Sequence, residues 1–264
     1  MKIGRTRERL LEHYQEALEY FPEKNILGLF LQGSQNYKLD TPASDVDTKL
    51  IVVPTLREIA MNSKPVSTTH IRANEEHIDF KDVRLYIDTF RKQNMNFLEI
   101  LFTDYFVVNP IYGKQWNRLL EHRELISRYN PFRAMKTMKG IAMDKYHAME
   151  HPYPSKLPIL EKYGYDGKQL HHLLRIKEFA ERYLNGESYQ NCLIPTNIEY
   201  LKAIKSNTYY SLDEARDIAK NTIDYVINLC DNNPFKDENN PEVEELFNDV
   251  RYEIIKTAIQ EEVK

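Results

Sequence analysis

The sequence predicts an α/β unit followed by an all-α unit. Short apolar segments bounded by turn residues, typical of strands, concentrate in the first ~110 residues. Beyond Pro110 the apolar residues recur instead at the 3.6-residue helical period. A chain of 264 residues with 42% hydrophobic side chains is long enough to bury its own core. We therefore predict a small mixed sheet with flanking helices in residues 1–112 and a helical domain in residues 113–264.

The first unit opens with a helix and continues with strands. Apolar residues recur at helical spacing from Leu10 to Phe21, and Pro22 ends that helix. Two buried strands follow: I-L-G-L-F-L-Q, ended by Gly33–Ser34, and D-T-K-L-I-V-V-P, closed by Pro54. The remaining predicted elements are a short helix over 56–61, a hairpin of 67–72 and 76–80, a helix from 83 onward, and a further helix beginning in N-F-L-E-I-L-F.

The second unit is predicted to be helical throughout, apart from one loop. Helical patterns cover residues 133–149, 169–184, 212–229 and 242–263, separated by Pro, Gly and Asn clusters. The prolines of 152–158 remove backbone donors and clash with a preceding turn, so this segment is predicted to be a loop.

Composition excludes several classes of protein. The formal net charge of −4 argues against a general polycation, although residues 133–182 hold ten basic and six acidic side chains. The longest apolar runs, 26–31 and 50–53, are far shorter than the ~20 residues that cross a bilayer, so we expect no membrane span. Two distant cysteines, Cys192 and Cys230, predict a reduced cytoplasmic protein without disulfides or a thiolate zinc site.

The chemically informative segment joins the two predicted strands. Gly33 permits a tight turn whose backbone N–H groups, backed by a helix N-terminus, form a cradle for phosphate, and Ser34 adds a hydroxyl. Asp45 and Asp47 follow, and on a strand their side chains share one face. Two neighbouring carboxylates repel, and Mg²⁺ (or Mn²⁺) relieves that repulsion while keeping positions open for substrate phosphates. This combination is typical of phosphoryl or nucleotidyl transfer.

G-S-Q-N-Y-K-L together with S-D-V-D-T-K resembles the signature of the DNA polymerase β-type nucleotidyltransferase superfamily. The context narrows the resemblance to the stand-alone bacterial and phage nucleotidyltransferases with a helical C-terminal half. Further similar blocks are H-I-D-F-K-D-V-R, K-Q-N-M-N-F-L-E-I-L-F-T and G-Y-D-G-K-Q-L-H-H-L-L-R-I. The resemblance implies a third carboxylate from a neighbouring strand. Asp79, inside H-I-D-F, is favoured; Asp82, which could instead cap the next helix, is the alternative.

Basic residues are the other candidate ligands of phosphate. Lys49 follows the Asp pair on the same strand face, where it could contact phosphate or form an ion pair with an aspartate. Lys168, His172 and Arg175 lie three to four residues apart on one helix, and could bind a triphosphate or simply form a solvated face. In the block K-Q-N-M-N-F-L-E-I-L-F-T, Lys92, Asn94 and Glu99 are as readily explained by helix capping and surface ion pairs.

The expected function is Mg²⁺-dependent transfer of a nucleoside monophosphate from an NTP, ATP foremost, to an acceptor hydroxyl. Asp45, Asp47 and Asp79 are expected to hold the metal and catalyse, and Gly33, Ser34, Lys49, Lys168, His172 and Arg175 to bind nucleotide. The acceptor is left open between an RNA end, a protein and a small molecule. The alternative is a catalytically silent nucleotide-binding or antitoxin-type partner protein.

Overall fold

The computed structural model describes residues 2–42 and 44–264. Five strands and thirteen α-helices are found in this part of the chain. The strands are β1 Ile26–Gln32, β2 Asp47–Val52, β3 Ser67–Ile71, β4 His77–Asp82 and β5 Phe106–Val108. The helices are α1 Lys2–Ala17, α2 Leu56–Ala60, α3 Val83–Arg91, α4 Met95–Leu98, α5 Gly113–Glu121, α6 Arg123–Ile126, α7 Pro131–Ala148, α8 Leu157–Tyr163, α9 Gly167–Leu184, α10 Tyr189–Leu193, α11 Ile198–Ile204, α12 Leu212–Asp231 and α13 Pro241–Glu262.

The strands form one mixed sheet in the order β3-β4-β2-β1-β5. β2 and β4 pair in parallel, and the other three neighbouring pairs are antiparallel. The predicted fold class, α/β followed by helices, is confirmed. The edge strand β5 was not predicted, because three residues are too few to display a strand period.

The two faces of the sheet differ in chemistry. In β4 the side chains of Ile78 and Phe80 are buried, whereas those of Asp79 and Lys81 are half-buried, as the two-residue period of a strand requires. Helix α1 covers the apolar face. There Leu10, Tyr14 and Ala17 pack with Leu29, Leu31, Leu50, Val52, Ile78 and Phe80. The opposite face carries Asp47 and Lys49 of β2 and Asp79 and Lys81 of β4, whereas the polar Thr48 and Asp82 lie on the apolar face.

The chain divides into two units at positions that differ from the predicted boundary. The first unit contains residues 1–36, 40–130 and 239–264, and the second contains 37–39 and 131–238. The predicted boundary at 112/113 falls within the first unit. Helices α5 and α13 pack against each other, and α13 also packs on α3, so these late helices belong with the sheet. Periodicity identifies a helix but not the surface it packs on, which is why the sequence misplaced α13.

The second unit is built on three long helices, α7, α9 and α12, which pack on one another. The proline-rich segment, predicted to be a loop, is partly helical. Residues 154–156 form a 3₁₀ turn, and α8 begins at Leu157 with Pro158 in its first turn. The first turn tolerates proline because its N–H would lack a helical partner anyway. None of the described helices is both long and apolar enough to span a bilayer.

Candidate functional site

The register of β2 and β4 brings distant charged residues onto one face of the sheet. Lys49 is the direct neighbour of Asp79, while Thr48 and Ile78 pair on the other face. Because alternate residues share a face, Asp47 lies on the side of Lys49, and Lys81 on the side of Asp79. We call these four residues, Asp47, Lys49, Asp79 and Lys81, the charged face.

Asp79 is held by two neighbours on the charged face. Its Oδ2 lies 3.2 Å from the Nζ of Lys49, and its Oδ1 accepts a hydrogen bond of 2.6 Å from the hydroxyl of Thr69, its partner residue in β3. The side chain of Asp79 is 30% exposed. The carboxylate is therefore oriented by the sheet while remaining in contact with solvent.

Lys49 is an almost fully buried cation. Burial lowers its pKa, and the charges and hydrogen bond of Asp79 partly oppose that shift. Its Nζ lies 4.5 Å from the ring centroid of Phe97, and the Nζ of Lys81 lies 4.4 Å from the same centroid. Of the two predicted roles for Lys49, the ion pair with an aspartate is the one found in the structure.

The two residues of the Asp pair lie in different local structures. Asp47 begins β2, and its Oδ1 accepts a hydrogen bond of 2.9 Å from the backbone N–H of His77. Asp45 is exposed and precedes the strand, and its carbonyl oxygen accepts a bond of 2.7 Å from the side-chain amide of Gln35. The prediction that both residues lie within one strand is wrong, because pairing with β1 and β4 starts only at 47–48.

The Gly33–Ser34 turn adjoins this pair. Gln32, the last residue of β1, pairs with Asp47, so the turn follows at the same end of the sheet. Gly33 has a φ of +101°, a conformation that side-chain-bearing residues rarely adopt. Its N–H donates a 3.0 Å hydrogen bond to Oε1 of the buried Glu99. The turn therefore offers fewer backbone N–H groups to a phosphate than predicted. The N–H of Gly33 is bonded to Glu99, and a four-residue 3₁₀ turn follows in place of an α-helix.

Asp82 serves as a helix cap. Its Oδ1 accepts hydrogen bonds from the backbone N–H and the Nε of Arg84, at 2.8 and 2.9 Å, at the start of α3. It is 2% exposed, and its side chain lies on the face of β4 opposite to that of Asp79. Of the two candidates for a third carboxylate, only Asp79 therefore shares a face with Asp47.

The described residues contain no group of three or more histidine, cysteine, aspartate or glutamate side chains arranged to hold a metal ion. Asp45, Asp47 and Asp79 are thus not assembled as a three-carboxylate site. Their oxygen donors suit a hard divalent cation, and Mg²⁺ commonly takes only one or two protein carboxylates alongside substrate phosphates. The carboxylate oxygens of Asp45 and Asp47 suit such an ion, although Oδ1 of Asp47 already accepts the N–H of His77, and both oxygens of Asp79 are bonded to Lys49 and Thr69.

The predicted basic residues of α9 lie in different surroundings. Lys168 is exposed and His172 is half-buried, but Arg175 is only 4% exposed, with its guanidinium carbon 4.1 Å from the ring centroid of Tyr37. Burial, aided by the charges of Arg175 and Lys145, holds the pKa of His172 well below its usual value. These residues do not form one solvated face.

The adjacent His171 has a structural role. It is 1% exposed, and its Nδ1–H donates a 2.7 Å hydrogen bond to the carbonyl of Leu201. Burial, with smaller contributions from nearby cations, lowers its pKa to about 4. His171 is therefore a neutral donor that joins α9 to α11.

Two buried glutamates contact the site. The sequence does not single out Glu76, and the surface ion pair offered for Glu99 is wrong because Glu99 is only 2% exposed. Glu99 binds the Gly33 turn, and Glu76 binds the backbone between Asp45 and Asp47. The available signal for Glu99 is a charged residue inside the apolar run N-F-L-E-I-L-F. No comparable signal marks Glu76, which stands in the polar turn before β4.

Comparison with models of protein families and with curated protein sequences finds no match to this chain. The nucleotidyltransferase resemblance therefore rests on the motifs themselves.

Proposed function

We propose that this protein transfers a nucleoside monophosphate from an NTP, ATP foremost, to an acceptor hydroxyl and releases pyrophosphate. The observation that carries the proposal is the register of β1, β2 and β4. Gln32 pairs with Asp47, and Lys49 pairs with Asp79, so the Gly-Ser turn and two carboxylates lie at neighbouring strand positions.

Asp45 and Asp47 are the proposed protein ligands of Mg²⁺ or Mn²⁺. When bound, the ion would polarise phosphoryl oxygens as a Lewis acid. Asp45 is exposed and Asp47 is 34% exposed in its side chain, so both are accessible to a nucleotide-bound cation. Asp79 as a third ligand stays a prediction from the resemblance.

The Gly33–Ser34 turn and Asp79 of the charged face are proposed to position the reactants. The Ser34 hydroxyl would bind a phosphate oxygen at the turn that Gly33 makes possible. Asp79, oriented by Lys49 and Thr69, would accept a hydrogen bond from the acceptor hydroxyl. The acceptor oxygen then bonds to the α-phosphorus as the bond to pyrophosphate breaks, and the hydroxyl proton passes to Asp79 or water. Such catalysis depends mainly on positioning and electrostatics.

Lys168, His172 and Arg175 are proposed to bind phosphate groups of a substrate. Lys145 adds to this cluster, because the charges of Lys168 and Arg175 contribute to lowering its pKa after the larger effect of burial. Like charges held in one region repel, and an anion relieves that repulsion. Lys168, the exposed member, is the accessible point charge.

The proposal is tested by incubating the purified protein with each α-labelled NTP and Mg²⁺ or Mn²⁺. Total RNA, total protein and a small-molecule extract from a bacterial lysate are supplied as separate acceptors. We expect label to move to one acceptor class with release of pyrophosphate, and EDTA to abolish the transfer. Asp79→Asn is compared with Asp82→Asn, a matched change on the same strand.

Transfer that is lost in Asp79→Asn and kept in Asp82→Asn would support the proposal. NTP binding without transfer to any acceptor would favour the catalytically silent nucleotide-binding or antitoxin-type protein. The ion pair of Lys49 with Asp79 is the observation that favours this second function, because it neutralises a carboxylate of the site.

A further inference from the structure

Glu76 contacts the backbone at the centre of the candidate aspartate pair. Its Oε1 accepts a 3.0 Å hydrogen bond from the N–H of Val46, the residue between Asp45 and Asp47. The next residue, His77, donates its own N–H to Oδ1 of Asp47 at 2.9 Å. Two consecutive residues thus hold the pair, one through the main chain and one through a side chain.

The second oxygen of Glu76 is fixed by a set of donors. His13 Nε2 lies 2.9 Å from Oε2, Asn74 Nδ2 lies 3.1 Å away and Arg72 Nη1 lies 3.2 Å away; Arg9 is a further partner. These donors come from α1 and from the β3–β4 turn. The carboxylate is therefore a junction between the helix behind the sheet and the segment that carries the aspartates.

His13 ties the same helix to β2. It is fully buried, and its Nδ1 lies 2.9 Å from the hydroxyl of Thr48, the residue after Asp47. Burial, the largest effect, lowers its pKa, so the ring is neutral, with Nε2–H donating to Glu76 and Nδ1 accepting from Thr48. The backbone is thus anchored at Val46 and the side chain of Thr48 is anchored beside it.

Stability alone is a weak explanation for this arrangement. A buried ion pair is often replaceable as a whole by apolar residues at little cost in stability. Burial would raise the pKa of Glu76, but hydrogen bonds from His13, the Val46 amide and Asn74, with the charge of Arg9, lower it overall. The group stays ionised and directs one oxygen at Val46, which fixes the backbone on both sides of that residue.

We infer that Glu76 is a positioning residue for Asp45 and Asp47: through the Val46 amide it sets the direction of the two carboxylates that would hold the metal–nucleotide complex. This inference rests on the proposed function. Partners of this kind typically change metal affinity or activity by 10- to 100-fold when mutated.

The decisive variant is Glu76→Gln. Its side chain keeps the shape of glutamate but has only one acceptor oxygen, so either Val46 or the His13–Arg72 donors face an NH₂ group. Glu12→Gln is the matched control: Glu12 lies 3.4 Å from Arg9 and 3.7 Å from Arg72 and is 55% exposed, without contact to Val46. Arg72→Lys is a milder variant that removes one donor to Glu76.

Two measurements separate positioning from folding and from the reaction. Electron paramagnetic resonance follows Mn²⁺ binding in the presence of a non-hydrolysable ATP analogue, and steady-state transfer is followed against Mg²⁺ concentration. We expect Glu76→Gln to weaken Mn²⁺ binding and raise the Mg²⁺ requirement by roughly 10- to 100-fold. Arg72→Lys should act in the same direction more weakly, and Glu12→Gln should match the wild type.

A folded Glu76→Gln protein with wild-type Mn²⁺ binding and Mg²⁺ dependence would overturn the inference while leaving the proposed function intact. Mn²⁺ binding that weakens in Glu76→Gln, without transfer by the wild type, would support positioning and remove the proposed reaction. If Glu76→Gln does not fold, the Arg72→Lys variant provides the test. A Mg²⁺ dependence of transfer equal to that of the wild type in this variant would contradict the inference. Absence of both Mn²⁺ binding and transfer in the wild type would overturn both.

Discussion

The charged face of the sheet and the basic residues of α9 are two charge clusters with different surroundings in the structure. On the sheet, Asp47 and Asp79 remain about one-third exposed. On α9, Arg175 is buried against Tyr37 and His171 is bonded to the carbonyl of Leu201. Of Lys168, His172 and Arg175, only Lys168 is exposed.

The difference shows how much the spacing of residues along the sequence reveals about the exposure of their side chains. Helical spacing predicts that residues three or four apart share a face, but not whether that face is packed or solvated. In a strand whose residues alternate strictly, the apolar residues face the core. The polar residues therefore lie on the opposite face of the sheet. Alternation predicts the face but not the exposure either: Asp79 is half-buried on the charged face, whereas Lys49 on the same face is buried.

The largest expected effect concerns the carboxylates of the charged face. Asp47→Asn and Asp79→Asn should each reduce transfer by roughly 10²- to 10³-fold, the loss typical when one electrostatic contact to a transition state is removed. The rate of labelled nucleotide incorporation is the measurement. Wild-type rates in both variants would exclude the charged face from the reaction.

Asp79→Asn should also be less stable than Asp47→Asn, because it leaves the buried ammonium of Lys49 without its ionic partner. Replacing Lys49 by Met in the Asp79→Asn background should restore the thermal midpoint but not the activity. This double variant separates the loss of folding from the loss of chemistry.

The second prediction tests whether neutral, buried His171 stabilises the fold by joining α9 to α11. The unfolded state takes up a proton below about pH 6.5, whereas the folded state resists it until about pH 4. The free energy of unfolding should therefore fall as pH falls through this window, by roughly 3 kcal/mol at most. His171→Gln, which keeps a donor for Leu201 but does not titrate, should flatten the curve in urea unfolding. Part of the slope should remain, since burial lowers the pKa of His13 and His172 too.

The third prediction compares the two cations of α9. Arg175→Ala should lower stability by about 2 kcal/mol, the value of a desolvated cation–π contact, because Tyr37 loses its partner. Lys168→Ala should leave the thermal midpoint unchanged and raise the KM for NTP roughly 10- to 100-fold. If Lys168→Ala has a wild-type KM, the helix is a structural element, and the Gly33–Ser34 turn and the cation held by Asp45 and Asp47 are the phosphate contacts that the proposal keeps.

The smallest effect is expected at Asp82. Asn caps helices about as well as Asp, so Asp82→Asn should keep transfer within about twofold and lose about 1 kcal/mol of stability with the Arg84 ion pair. Thermal unfolding and transfer rate check both values. A variant with normal stability but no transfer would reverse the roles of Asp79 and Asp82.

The sequence by itself determined the fold class and most of the elements of the sheet. Apolar runs ended by Gly33–Ser34 and Pro54 define β1 and β2, and the alternation in H-I-D-F predicts a strand that exposes Asp79. The resemblance offers Asp79 and Asp82 as candidates for a third carboxylate, and the sequence also predicts that Asp82 could cap the next helix, as it does. These features depend on local periodicity and turn chemistry, which neighbouring residues decide.

Tertiary structure alone decided which residues touch across the chain. It paired Lys49 with Asp79, placed Glu76 on Val46 and Glu99 on Gly33, and returned α13 to the unit that holds the sheet. It also buried Arg175 while leaving Lys168 exposed. Such contacts depend on strand register and on helix packing between distant segments. The local pattern of a single sequence specifies neither of them.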